Sequence, residues 1–234
     1  MSDHTNKQFD AEMEAIRSGV LSMGGIVEQQ LTRAMDALAK DDDSRRTDAV
    51  GADEAAINRL QVTIDQQCAQ IIAKRQPTAV DLRMVLTVSK IVNDLERIGD
   101  EVKKVAYRAS QTRSDRLARV RYFDTSNALE HAMTMLRLAL DAFARLDVVA
   151  AAEVIERDAD VDAAFASILR QLISYMMEDP RTITPALEIV FIAKSIERVG
   201  DHAKNIAEAV VQVVNGKDVR HATADEIRAE LAQR

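Results

Sequence analysis

Tryptophan is absent, cysteine occurs once, proline three times and glycine seven times in 234 residues. Each scarcity excludes something. The single thiol, Cys68, forms no intrachain disulfide and rules out a zinc site needing two thiolates from one chain. Few turn-formers, with aromatic residues at 3%, argue against a β-sandwich or barrel. Positive charge is also short, with 31 Lys+Arg against 38 Asp+Glu and a net charge of −7, so a broad surface for DNA or RNA is not expected. No apolar run approaches the roughly 18 residues that a bilayer span requires; residues 186–193 are interrupted by Glu188. The opening residues Met1-Ser2-Asp3-His4 lack the basic segment and apolar core of a secretory signal. A protein working in a reducing, cytoplasmic compartment is therefore expected, touching membranes only through partners.

What the chain does have is 47% hydrophobic residues arranged with helical periodicity, too many for a disordered segment. Pro and Gly divide it into six stretches: residues 9 to about 40, a second ending at Gln76-Pro77, a third over about 79–110, a fourth ending near Leu146-Asp147, a fifth ending at Asp179-Pro180 and a sixth over about 185–214 ending at Asn215-Gly216. Acidic Asp41-Asp42-Asp43-Ser44 and polar Thr112-Arg113-Ser114-Asp115 offer N-caps for the second and fourth. Each helix is expected to be about thirty residues, roughly 45 Å. In the third, Val92, Leu95, Gly99, Val102 and Ala106 alternate steps of three and four; in the sixth, Ala193, Ile196, Gly200, Ala203, Ala207 and Val210 do the same. That spacing is the seam of a left-handed helical bundle.

The chain repeats itself. Leu95-Glu96-Arg97-Ile98-Gly99-Asp100 matches Ile196-Glu197-Arg198-Val199-Gly200-Asp201 at an offset of 101, with Lys103 matching Lys204, and Ile57-Asn58 aligns with Val161-Asp162 at an offset of 104. The expected fold is all-α: two tandem three-helix bundles over residues 1–112 and 113–216, followed by a polar tail, 217–234, with a short helix around 225–231.

Acidic residues recur at helical spacing. Glu96 and Asp100 share one face of the third helix, and Glu197 and Asp201 one face of the sixth. Glu54 and Asn58 on the second helix, and Asp158 and Asp162 on the fifth, are spaced alike. Like charges four apart on a helix repel by a few tenths of a kcal/mol, so an arginine or a cation must offset them. Folding the second helix back on the third at Pro77 sets Glu54 level with Asp100 and Asn58 level with Glu96. Folding beside Pro180 does the same for Asp158 with Asp201 and Asp162 with Glu197. The plain reading is a solvated acidic rim satisfied by Arg97 and Arg198. The register across an internal repeat favours hard, oxygen-rich cation sites for Mg, Mn, Ca or oxidised Fe. Asn58 contributes at most a carbonyl, so the first site should bind less tightly.

Other features are weaker. His202 is either a further ligand or a solvated side chain. The methionines, Met133, Met135, Met176 and Met177 among them, and Cys68 are expected in the core. Met23-Gly24-Gly25 inside the first helix marks a close crossing, a kink or a partner contact. There is no Gly-rich phosphate loop, no GxSxG elbow, and no pair of Glu-x-x-His motifs for a di-iron oxidase.

The doubled Glu-Arg-Ile/Val-Gly-Asp motif, Arg75-Gln-Pro77 followed by Asp81-Leu-Arg83, Met176-Met-Glu-Asp-Pro180, and the N-terminal Phe9, Met23-Gly-Gly25 and Glu28-Gln-Gln30 resemble the PhoU family over residues 9 to about 221. The resemblance implies multinuclear metal sites on Glu54, Glu96, Asp100, Asp158, Asp162, Glu197 and Asp201, with Asn58 departing from the pattern. It leaves the metal open among Fe, Mn, Mg and Zn. It implies a non-enzymatic negative regulator of the phosphate-starvation response and of phosphate uptake. Such a regulator acts as an adaptor, as a homodimer, between the ATPase subunit of a phosphate ABC transporter and a PhoR-type sensor histidine kinase. The alternatives are a metal-dependent phosphohydrolase or oxidase using the same carboxylates, and a metal-free helical scaffold.

Overall fold

A computed structural model describes residues 2–39, 44–111, 117, 124–216 and 226–227. Among them are six α-helices and no strand: α1 (Ser2–Ala39), α2 (Ser44–Arg75), α3 (Ala79–Gln111), α4 (Thr125–Arg145), α5 (Val148–Glu178) and α6 (Ile183–Asn215). The periodicity fixes these elements to within a few residues, with two departures. α1 runs to 38 residues, beginning before Phe9, and α4 has only 21. The caps expected at Asp41-Asp42-Asp43 and Thr112-Arg113-Ser114-Asp115 fall outside the described residues. So does the tail helix, apart from helical Glu226 and the buried Ile227.

The helix ends have local causes. The α4 C-terminus closes on Leu146 in the left-handed conformation (φ 54°), where Asp147 N–H donates to the Ala142 carbonyl at 2.9 Å. Asp147 then caps α5, its carboxylate accepting from the backbone N–H groups of Val149 and Ala150 at 3.0 Å. A 3-10 turn, Pro180–Thr182, joins α5 to α6, and Gly216 ends α6 at φ 72°.

Helices α1–α3 form one three-helix bundle and α4–α6 the other. The seam residues Val92, Leu95, Val102 and Ala106 of α3, and Ile196, Ala203, Ala207 and Val210 of α6, are fully buried. A methyl added at Gly99 would lie 3.1 Å from Ile57 Cδ1 of α2; one at Gly200 would lie 3.2 Å from Val161 Cγ1 of α5. Glycine here allows the hairpin helices to approach closely beside the acidic positions. α3 and α6 run antiparallel and join the halves, and their mutual contact is the most extensive between helices among the described residues. α1 also crosses α4: a methyl at Gly24 would lie 2.6 Å from Leu140 Cδ1, whereas one at Gly25 would meet nothing within 4 Å. Of the three readings of Met23-Gly24-Gly25, the close crossing holds at Gly24. Cys68 is buried, and burial pushes its thiol up to about 11, which makes it inert. Met135 is buried and Met133 and Met176 pack on the core. Met177, 81% exposed beside the hairpin turn, is not the core residue expected.

Candidate functional site

Charge coupling shows that the acidic positions of each hairpin lie near one another across its two helices. In the second half Asp158 and Asp162 on α5 face Glu197 and Asp201 on α6. Desolvation, then repulsion from Asp158 and Glu197, raises the Asp162 carboxyl above its ordinary value. Desolvation, then repulsion from Glu197, Asp158 and Asp162, does the same to Asp201. In the first half desolvation, then the charge of Asp100 with a smaller contribution from Glu54, raises Glu96. These shifts record like charges held together by the fold and incompletely compensated. Asn58 is exposed on the same helix as Glu54.

Compensation comes from the charge of Arg97 at Glu96 and from ammonium groups elsewhere. Lys204 Nζ lies 2.6 Å from Asp158 Oδ2, Lys194 Nζ 2.6 Å from Glu197, and Lys103 Nζ 2.6 Å from Glu54 Oε2. With these lysines among the carboxylates, no three His, Cys, Asp or Glu side chains among the described residues converge on one point as a ligand shell. The donor type, carboxylate oxygen, is the one hard cations prefer, although the described side chains stand apart rather than converging. Glu54, Glu96 and Asp100, and Asp158, Asp162, Glu197 and Asp201, are the residues that would hold such ions. A bound ion would neutralise the helix faces and clamp each hairpin.

The arginines fill the role given them by the rim reading in one half only, where the charge of Arg97 acts to lower the Glu96 carboxyl. Arg198 turns away from its own acidic pair and meets Glu101 of α3 at 3.2 Å. Burial works to raise the Glu101 carboxyl, but hydrogen bonds from Lys104, Ser195 and Arg198 outweigh it and hold it below its ordinary value. Nor is His202 merely solvated: its Nδ1 lies 2.8 Å from Asp94 Oδ1 of α3, which also accepts from Asn205 Nδ2 at 3.2 Å. These contacts stitch α3 to α6 between the clusters. Sequence reasoning missed Asp94, Glu101 and the lysines. The duplication of Lys103 as Lys204 is the signal that could have found the lysines. Nothing in the sequence pairs Asp94 with His202, because they lie on helices of different halves.

Fold and site together define a class: an internally duplicated all-helical protein whose two hairpins each carry an acidic cluster with its own lysine. Comparison with known proteins narrows it. A family profile described as the PhoU domain matches residues 20–109 and 125–210. The chain is 43% identical over 231 residues to the "Phosphate-specific transport system accessory protein PhoU homolog" of Pseudomonas aeruginosa, covering 99% of this chain and 95% of that one. It is 42% identical over 232 residues to the "Phosphate-specific transport system accessory protein PhoU" of Escherichia coli K12, with the same coverage. The crystal structure of PhoU from Pseudomonas aeruginosa superposes with a TM-score of 0.82 at 43% identity, over 89% of this chain and 100% of that one. That of the phosphate transport system regulatory protein PhoU from Streptococcus pneumoniae gives 0.83 at 26% identity, over 90% and 99%. The chain belongs to the PhoU family.

Proposed function

We propose that this chain regulates a phosphate transport system as a non-enzymatic accessory subunit. The observation carrying this reading is 42–43% identity along 99% of the chain to proteins named phosphate-specific transport system accessory proteins. In this reading the protein restrains phosphate uptake and the phosphate-starvation response. It works in the cytoplasm as a homodimer, bridging the ATPase subunit of a phosphate ABC transporter and a PhoR-type histidine kinase. No described helix is long and apolar enough to cross a membrane.

The acidic clusters serve as ion sites for Fe, Mn, Mg or Zn in this proposal. Relief of carboxylate repulsion by a bound ion favours the folded state by linkage, about 2.7 kcal/mol at a hundredfold excess over Kd. Adding a chelator is expected to lower Tm, and Asp201→Asn to shrink that drop; a melting curve indifferent to both chelator and added ion would reject the ion sites. The regulatory reading has its own test. Affinity capture of the tagged chain from phosphate-replete cells should recover the transporter ATPase subunit and the sensor kinase. Recovery of neither would reject the adaptor role.

A further inference from the structure

We propose that the exposed face of the α5–α6 hairpin docks a second copy of this chain, hairpin against hairpin about a two-fold axis. This rests on the homodimer reading above and names the face that makes it.

The first observation is an apolar strip that packing does not need. On α5, Ile173 follows the exposed Asp162 by eleven residues, about three helical turns, so both look out from one side, and Met177 stands a turn further on. On α6, Ile183 precedes the exposed Asp201 by eighteen residues, about five turns, and Leu187 and Phe191 follow it at steps of four. The turn at Pro180 sets the two rows side by side. Ile173, Ile183, Leu187 and Phe191 are 43–47% exposed and Met177 is 81% exposed. The repeat supplies a control within the same molecule. At the offsets of 104 and 101, Ala69, Ala73 and Lys90 of the first hairpin stand where the second has Ile173, Met177 and Phe191, and all three are exposed. The first hairpin does expose Ile72, Val80 and Leu86 near its own turn. It nevertheless closes its bundle without large apolar groups at those three places.

The second observation is the size and charge of the face. Its five apolar side chains offer on the order of 500 Å² per copy, against about 800 Å² per partner in a standard interface, and the polar edge supplies the rest. Residues 163–196 carry three basic and three acidic side chains, a balance of zero in a chain of net charge −7. Arg108 of α3 joins them, pairing with Glu188 at 2.7 Å and lying 4.5 Å over the Phe191 ring. Aromatic residues, methionine and arginine are the types in which interface centres are rich. Arg170, Glu178 and Arg181 at the edge form no ion pair among the described residues. A bilayer or a nucleic acid calls for a strong surplus of cations, and a charged peptide for a surplus of one sign. Free charges of both signs around an apolar centre suit a copy of the same face, because a two-fold axis brings each sign to the other.

The test is sedimentation equilibrium of the full chain. Phe191→Lys and Met177→Ala give the second hairpin what the first one carries. Leu86→Lys adds the same charge to the first hairpin as a control. The wild type should be dimeric. Phe191→Lys should raise the dimer Kd by on the order of thirtyfold and Met177→Ala by about tenfold, with Leu86→Lys unchanged. If the wild type and both hairpin variants dimerise equally well, this face is overturned and the homodimer reading stands. If the wild type is monomeric throughout, both fall. Loss of the transporter ATPase subunit or the kinase from affinity capture with Phe191→Lys would then assign the face to another protein. Should circular dichroism show Phe191→Lys misfolded, Met177→Ala, which alters a side chain standing almost clear of the protein, carries the test.

Discussion

Single residues show where the chain has spent its few glycines and its strained backbone. Gly24 and Gly25 are neighbours with opposite environments, one against Leu140 and the other facing open space. Gly25→Ala should therefore stabilise by about 1 kcal/mol, the difference in helix propensity. Gly24→Ala should gain less or lose, because Leu140 must rotate away. Urea midpoints of the two variants check this; equal gains would show that the crossing does not constrain Gly24. Ala79 begins α3 at φ 48°, a left-handed conformation that costs an L-residue roughly 1–2 kcal/mol. It is exposed, so Ala79→Gly should relieve that cost and raise Tm. The same motif that carries Glu96 and Asp100 carries Gly99, and its repeat carries Gly200. Both were legible from spacing alone, because a glycine on a helical seam has few other reasons to be there.

At the scale of elements, ion pairs between helices set how stability varies with pH. Arg75, at the last turn of α2, reaches Glu12 of α1 through two hydrogen bonds, at 2.9 and 2.7 Å. The bond from Arg75 holds the Glu12 carboxyl below its ordinary value. A carboxyl with a depressed folded pKa adds stability that is present above the unfolded pKa and is lost as pH falls through the folded one. Glu12→Gln should thus be less stable than wild type at neutral pH, with the difference fading below the ordinary carboxylate range. A difference constant across that range would place the effect in packing rather than charge. Asp162 and Asp201 carry the opposite sign. Their raised values mean a penalty fully present above the folded values and relieved as pH falls through them. The register of each hairpin, and hence which carboxylates share a face, followed from the turn at Pro77 or Pro180 and the pitch of a helix. The lysines' reach across the hairpin did not, because a long flexible side chain has several rotamers and only packing selects one.

For the whole molecule, the α3–α6 contact decides how the halves behave. α3 buries Ile91, Ile98 and Val105 beside its seam, and α6 buries Val199, Ile206 and Val213. Polar links cross the same contact from end to end: Arg108 to Glu188 at 2.7 Å, Arg198 to Glu101, His202 to Asp94, and Lys90 to Gln212. Two repeats so joined should unfold together. Far-UV circular dichroism and calorimetry should give one coincident transition, and the calorimetric enthalpy should equal the van't Hoff value. Two separated transitions would mean that each bundle is stable without the other.

The sequence by itself determined the six helices, their doubling, the close seams at Gly99 and Gly200, and the two acidic faces. All of these depend on spacing along one helix or across one short turn, where geometry leaves little choice. Only the tertiary structure decided that α3 lies against α6, that Arg198 and His202 are used to join the halves, and that lysines stand among the carboxylates. A wide apolar arc fixes how much of a helix is buried, but not which neighbour covers each side of it.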